Sequence, residues 1–510
     1  MDERQLTTRV AEVLDHWPAA GVAVGVVRHG SLEWSFDHGL ADIAAKNPIT
    51  HDTVFRTGSL TKTMTAVAVM QLWEHGLVDL DAPASDYLRA FALVPARPDL
   101  GPVTVRHLLT HTSGIGYWRR WSDLARPGFG SGIHARRPVP SLADYYRRGL
   151  PVEIEPGTKW VYSNHGFATL GQIVADVTGQ SFDRYLRDHV FDPLGMAHTD
   201  LVRSGRVTAA LATGYVMGRR GPRAAAEGEV PTAAAGAAYS TPRDIARYVV
   251  ALLGGGANEH GAVLKPETMA SMFEPHFQTD ARVPGMGLGF ELGEEDGRRV
   301  AGKGGILSGF LSHVSLAPDN GVGVFVLSNT GRLDGFGAPE LLASALLRES
   351  LGLPADAIRR DIPARAETWS ELCGWYGLDP GPLTNVMDRI VNGAGAEVGV
   401  QDGHLLLRPL TVIPSVRKGF WLHPDDEEDP YVFRIDFAAW GKPTFRVAFS
   451  RIPGDTPTWR LEGAGMSMRK RPDAFNPKLW LGGGAAAAAG AVGVRDGRRA
   501  ARRRGSHRGG

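Results

Sequence analysis

The chain carries a single cysteine, Cys373, in 510 residues. A disulfide within the chain and a cysteine-ligated zinc site each need at least two, so neither is available. That usage fits a reducing compartment. Long apolar runs are missing as well, since no stretch reaches the roughly 18 uninterrupted apolar residues of a spanning helix. The first twenty residues, MDERQLTTRVAEVLDHWPAA, carry charges throughout and offer no apolar core for a signal peptide. A cytoplasmic protein without a membrane partner is the expectation. Charge of one sign is also absent, because 56 Lys+Arg against 55 Asp+Glu leave +1. A strongly basic nucleic-acid binder is therefore disfavoured for the body of the protein. No Gly-x-Ser-x-Gly occurs, which argues against an α/β-hydrolase nucleophile elbow.

What is present is a globular composition. The 64 glycines and 33 prolines make up about 19 % of the chain, below the roughly 25–30 % of low-complexity sequences. At about 150 residues per domain the length suggests about three domains. From Gly21 to Asp37, GVAVGVVRHGSLEWSFD reads as two strands around His29-Gly30, a hairpin signal. Ser59 opens a helix in which Leu60, Met64, Val67, Met70 and Leu72 sit near helical spacing, with Gly76 as C-cap. Further helices are predicted at Thr104 to Leu109, Ser163 to Gly179 and Thr241 to Leu253, and buried strands at Gly309 to Leu316 and Gly321 to Asn329. The class is α+β. We place one domain at 1–351, a Pro/Ala-rich linker at 352–369 and an all-β, barrel-like domain at 370–472, with turn signals at Asp379-Pro380-Gly381, Asp402-Gly403, Pro424-Asp425 and Gly441-Lys442-Pro443. The remainder, 473–510, is Gly/Ala/Arg-rich and expected to be disordered.

Three short segments could carry chemistry. Ser59-Leu60-Thr61-Lys62 places a hydroxyl and an amine three residues apart on a helix, within reach of each other. A serine hydroxyl is a poor nucleophile until a base takes its proton, and a desolvated lysine can be that base. Tyr162-Ser163-Asn164 supplies a phenol that can shuttle protons and an amide that can hydrogen-bond a substrate amide. Lys303-Gly304-Gly305 precedes an apolar strand; small residues there allow close approach, and the lysine adds positive potential. Singly, each segment also reads as an ordinary helix start, cap or strand start.

In this order the three segments resemble those of the serine β-lactamase and penicillin-binding-protein superfamily, in its class C-like branch. His107 to Gly114 (HLLTHTSG), Pro156-Gly157-Thr158 and Pro193-Leu194-Gly195-Met196 extend the resemblance over roughly residues 10–350. It implies a β-lactamase/transpeptidase-like fold, an antiparallel sheet flanked by helices with a helical subdomain, and a cofactor-independent serine hydrolase. By the same resemblance Ser59 is the acylated nucleophile and Lys62 and Tyr162 are general bases. Asn164, Lys303, Gly304 and Gly305 bind substrate, and the backbone N–H groups of Ser59 and Ile306 form the oxyanion hole. β-Lactamases proper carry a hydroxyl residue where Gly304 stands, so small esters or amides, such as D-amino-acid peptides, rank above β-lactams. A weak β-lactamase, a D-alanyl-D-alanine carboxypeptidase and a penicillin sensor that acylates and stalls are the alternatives. The β segment from about 370, opening at Trp375-Tyr376-Gly377, is similar to lipocalin-like domains that follow this catalytic domain in some relatives.

Other patterns mislead. Gly297 to Lys303 fits G-x-x-x-x-G-K, yet Gly304 stands where a phosphate loop needs Ser or Thr, and a strand follows instead of a helix. His107 and His111 are four apart, but Leu108 occupies the place of the Glu in a zinc-protease motif, so both are expected to be structural. The acidic run Asp425 to Asp429 lacks the spacing of a calcium loop and reads as a solvated hairpin. Seven arginines after residue 482 could confer weak, salt-sensitive nucleic-acid affinity. No metal or cofactor is called for, the substrate is a small molecule or short peptide, and the oligomeric state is open.

Overall fold

The hairpin at the start of the chain forms, with β1 (Gly21–Arg28) and β2 (Ser31–Asp42) joined at His29-Gly30. Both turn residues have positive φ, 50° and 73°, which matches the twist of the flanking strands. The computed structural model describes residues 3–477 except 119–121, 124–132, 135–137, 219, 333–336, 356, 379–392, 412, 438–442, 454–457 and 464–465. The arginine-rich tail and the turns predicted at Asp379-Pro380-Gly381 and Gly441-Lys442 lie outside the described residues. Beyond β1 and β2 the main sheet contains β3 (Asn47–Pro48), β4 (Glu291–Glu295), β5 (Arg298–Leu307), β6 (Phe310–Ala317) and β7 (Val322–Ser328). Its order is β4-β5-β6-β7-β1-β2-β3, with every neighbour antiparallel.

Helices cover both faces of this sheet. Val22, Val24 and Val26 of β1 pack with Val322, Val324 and Val326 of β7 against Leu6 and Val10 of α1 (Glu3–His16). Ala23, Val27, Phe325 and Leu327 point the other way, into the larger core. Double-sided burial explains why β1 and β7 read as continuous apolar runs without alternation. The core also receives α2 (Thr61–Glu74), α3 (Val105–Leu109), α4 (Asn164–Thr178) and α5 (Pro242–Leu253). Thr104, Ser163 and Thr241 cap the last three through backbone N–H groups at His107, Gly166 and Asp244.

The first helix of the site, α2, departs from the one-sided pattern expected. Every residue from Thr61 to Leu72 is buried, so the helix runs through the core and its polar groups must be satisfied there. Thr63 Oγ1 donates to the Leu60 carbonyl and accepts from the Tyr248 hydroxyl at 2.9 Å. Gln71 Nε2 donates to the carbonyls of His189 and Val263. The Thr and Gln positions among the apolar ones are thus interior ties, not a solvent face.

The chain divides at Ala357/Ile358 into two compact units. The stretch 352–369 is not a bare tether, since Ile358, Ile362 and Trp369 are buried. The second unit is a closed barrel of eight antiparallel strands, from Gly374–Leu378 to Met466–Arg471, each pairing with the next and the last with the first. Tyr376, Val398, Leu407, Phe433, Phe449 and Leu461 are all buried in it, and Phe449 meets Tyr376 and Phe433 edge-on at 5.7 Å. The interior is packed with side chains. The acidic run 425–429 is only partly the solvated loop expected: Asp425 is buried and pairs with Arg434 and Arg446. Burial of Arg434, with the half-buried Arg446 beside it on the adjacent strand, is what requires a carboxylate there.

Candidate active site

Ser59 sits in a single 3-10 turn, Gly58–Leu60, that feeds α2. The turn is pressed against β5 by two residues without side chains. Gly58 has φ +53°, and a Cβ on it would lie 2.7 Å from the Ile306 nitrogen. A Cβ on Gly305 would lie 2.0 Å from the Thr57 carbonyl oxygen and 3.0 Å from the Ser59 nitrogen. No other residue type fits either position. Ser312 Oγ, opposite Gly305 on β6, donates to the same Thr57 carbonyl at 2.7 Å and fastens the turn to the sheet. The Ile306 nitrogen thus lies against Gly58, and the Ser59 nitrogen against Gly305.

Lys62, one turn along α2, is fully buried. Its Nζ lies 2.9 Å from Ser59 Oγ, 2.8 Å from Asn164 Oδ1 and 2.7 Å from the Ala235 carbonyl oxygen. All three are uncharged oxygens. Burial holds the Lys62 amine well below the ordinary lysine range, the Lys303 charge pushes it down further, and Glu291 opposes. A neutral amine has two N–H donors and one lone pair. Asn164 and Ala235 can only accept, so they take the two donors, and the lone pair is left facing the Ser59 hydroxyl.

Tyr162 completes the chain of contacts, with its hydroxyl 2.6 Å from Ser59 Oγ. Burial pushes the phenol up, with the Ser59 hydrogen bond opposing and the Glu291 charge adding. It remains protonated at neutral pH and can donate to Ser59 Oγ while Ser59 donates to Lys62. Both Lys62 Nζ and Lys303 Nζ lie over its ring, 4.7 and 4.8 Å from the centroid. Tyr117, stacked on Tyr162 at 6.2 Å, has its own phenol pushed up to about 12 by burial.

His111, read from sequence as structural only, packs tilted against Tyr162, with 4.5 Å between ring centroids. Its Nδ1 accepts the Ser163 N–H at 3.1 Å, and burial, with Lys303 and Lys62 nearby, depresses its proton affinity strongly. It is a neutral wedge that orients Tyr162. His107 belongs to a capping box with Thr104. Lys303 is on β5, buried, and ion-paired to Glu291 at 2.5 Å. Gly304, between Lys303 and Gly305, pairs with His313 across the ladder, and a Cβ there would meet His313 Nδ1 at 3.2 Å. The stretch from Gly297 to Lys303 is a hairpin turn and a strand, which is not a phosphate loop.

Glu291 was not found among the sequence candidates. A signal was present, since Asp296-Gly297 is a two-residue hairpin turn with φ of 46° and 79°. Folding back from it places Glu291 opposite Gly302, one residue from Lys303. Among the described residues no cluster of His, Cys, Asp and Glu could hold a metal ion, and no helix is long and apolar enough to cross a membrane.

Residues 8–347 match the Beta-lactamase family model. Esterase EstB of Burkholderia gladioli is 37 % identical over 205 residues, 38 % of this chain and about half, 52 %, of the esterase's own length. Penicillin-binding protein 4 of Amycolatopsis lactamdurans is 30 % identical over 347 residues, 66 % of this chain and 86 % of that protein. Among solved structures, the octameric penicillin-binding protein homologue from Pyrococcus abyssi superposes with a TM-score of 0.60 at 22 % identity. It covers 92 % of this chain and all of its own, and shows likeness of fold alone. With a family match across two thirds of its length, including every residue from Ser59 to Ile306, the chain belongs to the beta-lactamase family.

Proposed function

We propose that the protein is a serine hydrolase that cleaves small esters or amides through an acyl-enzyme on Ser59. The observation that carries the reading is the hydrogen-bonded set Ser59, Lys62 and Tyr162, in which Lys62 is buried against neutral oxygens only. Ser59 Oγ attacks the substrate carbonyl, its proton passes to Lys62 Nζ, and the oxyanion rests against the amides of Ser59 and Ile306. The tetrahedral centre collapses, the C–O or C–N bond to the leaving group breaks, and Tyr162 delivers a proton to the departing atom. Water then enters in its place. Tyr162, left as the phenolate, takes the water's proton, the acyl bond to Ser59 breaks, and Lys62 returns its proton to Ser59 Oγ. Asn164 holds Lys62 in position and offers its amide to the substrate, and Lys303 stabilises negative charge beside Tyr162.

Similarity to EstB favours esters, and similarity to Penicillin-binding protein 4 keeps a D-alanyl peptidase or a slowly deacylating β-lactam target as the second reading. Wild type and Ser59→Ala are incubated with p-nitrophenyl butyrate and a D-alanine amide, and the intact mass is followed. Turnover by wild type, a butyryl adduct confined to Ser59 and loss of both in the variant are expected. Equal turnover by the two proteins contradicts the proposal.

A further inference from the structure

Lys303 is a buried cation whose Nζ lies over the Tyr162 ring, yet it is not free to receive a substrate anion. Its Nζ is held by Glu291, whose side chain is 47 % exposed while that of Lys303 is 2 % exposed. Among the described residues Glu291 supplies the one carboxylate paired with this ammonium. A substrate carboxylate seeking Lys303 must displace Glu291 or sit beside it, and either way meets a like charge at the mouth of the site. A neutral substrate meets no such barrier. The β4–β5 hairpin fixes the arrangement: its Asp296-Gly297 turn sets the register Glu291 to Gly302, so the glutamate projects next to Lys303. Ile306, three residues on along β5, is 59 % exposed beside the Ser59 turn, an apolar surface suited to an uncharged group.

We infer that Glu291 is a specificity-determining residue that turns the site against substrates bearing a carboxylate on the leaving group and toward uncharged esters. This deepens the hydrolase reading and rests on it. The direction of charge is consistent with the way Glu291 raises the proton affinity of both Lys62 and Tyr162, which requires its carboxylate to be felt at the reacting atoms.

The test uses two substrates that differ only in charge, 3-carboxyphenyl butyrate and 3-carbamoylphenyl butyrate. They are assayed with the full-length wild type, Glu291→Gln, Glu291→Ala and the charge-conserving Glu291→Asp. Wild type is expected to prefer the carbamoyl ester. In Glu291→Gln and Glu291→Ala the ratio of kcat/KM, carboxyl over carbamoyl, is expected to rise about threefold to fivefold, the upper end of one exposed charge pair, mainly through KM. Glu291→Asp should stay near the wild-type ratio. A ratio unchanged in both neutral variants, while both esters are still cleaved and Ser59 is still acylated, overturns the role of Glu291 and leaves the hydrolase intact. Absence of any cleavage and of any Ser59 adduct in wild type removes the hydrolase and this inference together.

Discussion

The barrel and the surroundings of Lys62 bury cations in opposite ways. In the barrel, Arg434 and Arg446 share Asp425, at 2.8 and 2.6 Å. In the first unit Arg348 pairs with Glu295 and Asp296, and Arg56 with Glu229. Each of these charges has a carboxylate that offsets the cost of leaving water. Lys62 is as deeply buried and has none within ion-pair reach among the described residues; its partners are a hydroxyl, an amide oxygen and a peptide carbonyl. An arginine cannot shed its proton, so its burial demands an anion. A lysine can, so burial without an anion makes it a base. The contrast separates a scaffold charge from a chemical one.

The strongest test of that contrast removes the base. Lys62→Met is expected to lower kcat/KM by about 10⁴, combining loss of the general base with loss of the nucleophile's activation; steady-state ester hydrolysis measures it. Asp425→Asn tests the other side. It leaves the buried Arg434 and the half-buried Arg446 short of their anion, and about 3 kcal/mol of stability should be lost in chemical denaturation, with kcat/KM per folded molecule unchanged. If Asp425→Asn instead lowers kcat/KM without loss of stability, the division between scaffold and chemistry is wrong. Tyr162→Phe keeps the ring against His111 and removes the hydroxyl, and about a 10²-fold fall in kcat is expected. An unchanged rate would mean that the leaving group finds its proton elsewhere. The smallest effect sharpens the wedge role of His111. His111→Asn keeps an acceptor for the Ser163 N–H, so about a threefold to tenfold loss is expected, within the range of a positioning change.

The sign of the pH dependence follows from Lys62. Its folded-state proton affinity lies below the unfolded value of 10.5, so the unfolded chain binds more protons between the two values. Stability contributed by this group therefore rises with pH through that window and is lowest below the folded value. Activity runs the same way, falling on the acid side as Lys62 takes up a proton.

Ser59, Lys62 and Tyr162 were legible because the first two stand three residues apart where a turn feeds α2 and the third stands in a short block next to a cap. The barrel was legible from its strand rhythm and turns such as Asp402-Gly403, which does join two strands. The burial of α2 on all sides was not, because its threonines look like a polar face until Tyr248 and the carbonyls they meet are brought in from distant segments. Glu291 required register, which a sequence expresses only through the turn at Asp296-Gly297. Asp425 required knowing that Arg434 and Arg446 come together across two strands.

The most direct measurement is the rate at which Ser59 is acylated in a single turnover, followed by intact mass as a function of pH with p-nitrophenyl butyrate. A rate that rises to a plateau with its midpoint well below 10.5, and that is abolished in Lys62→Met, is the predicted result. A midpoint at or above the ordinary lysine value, or acylation of Ser59 that persists without Lys62, would contradict it.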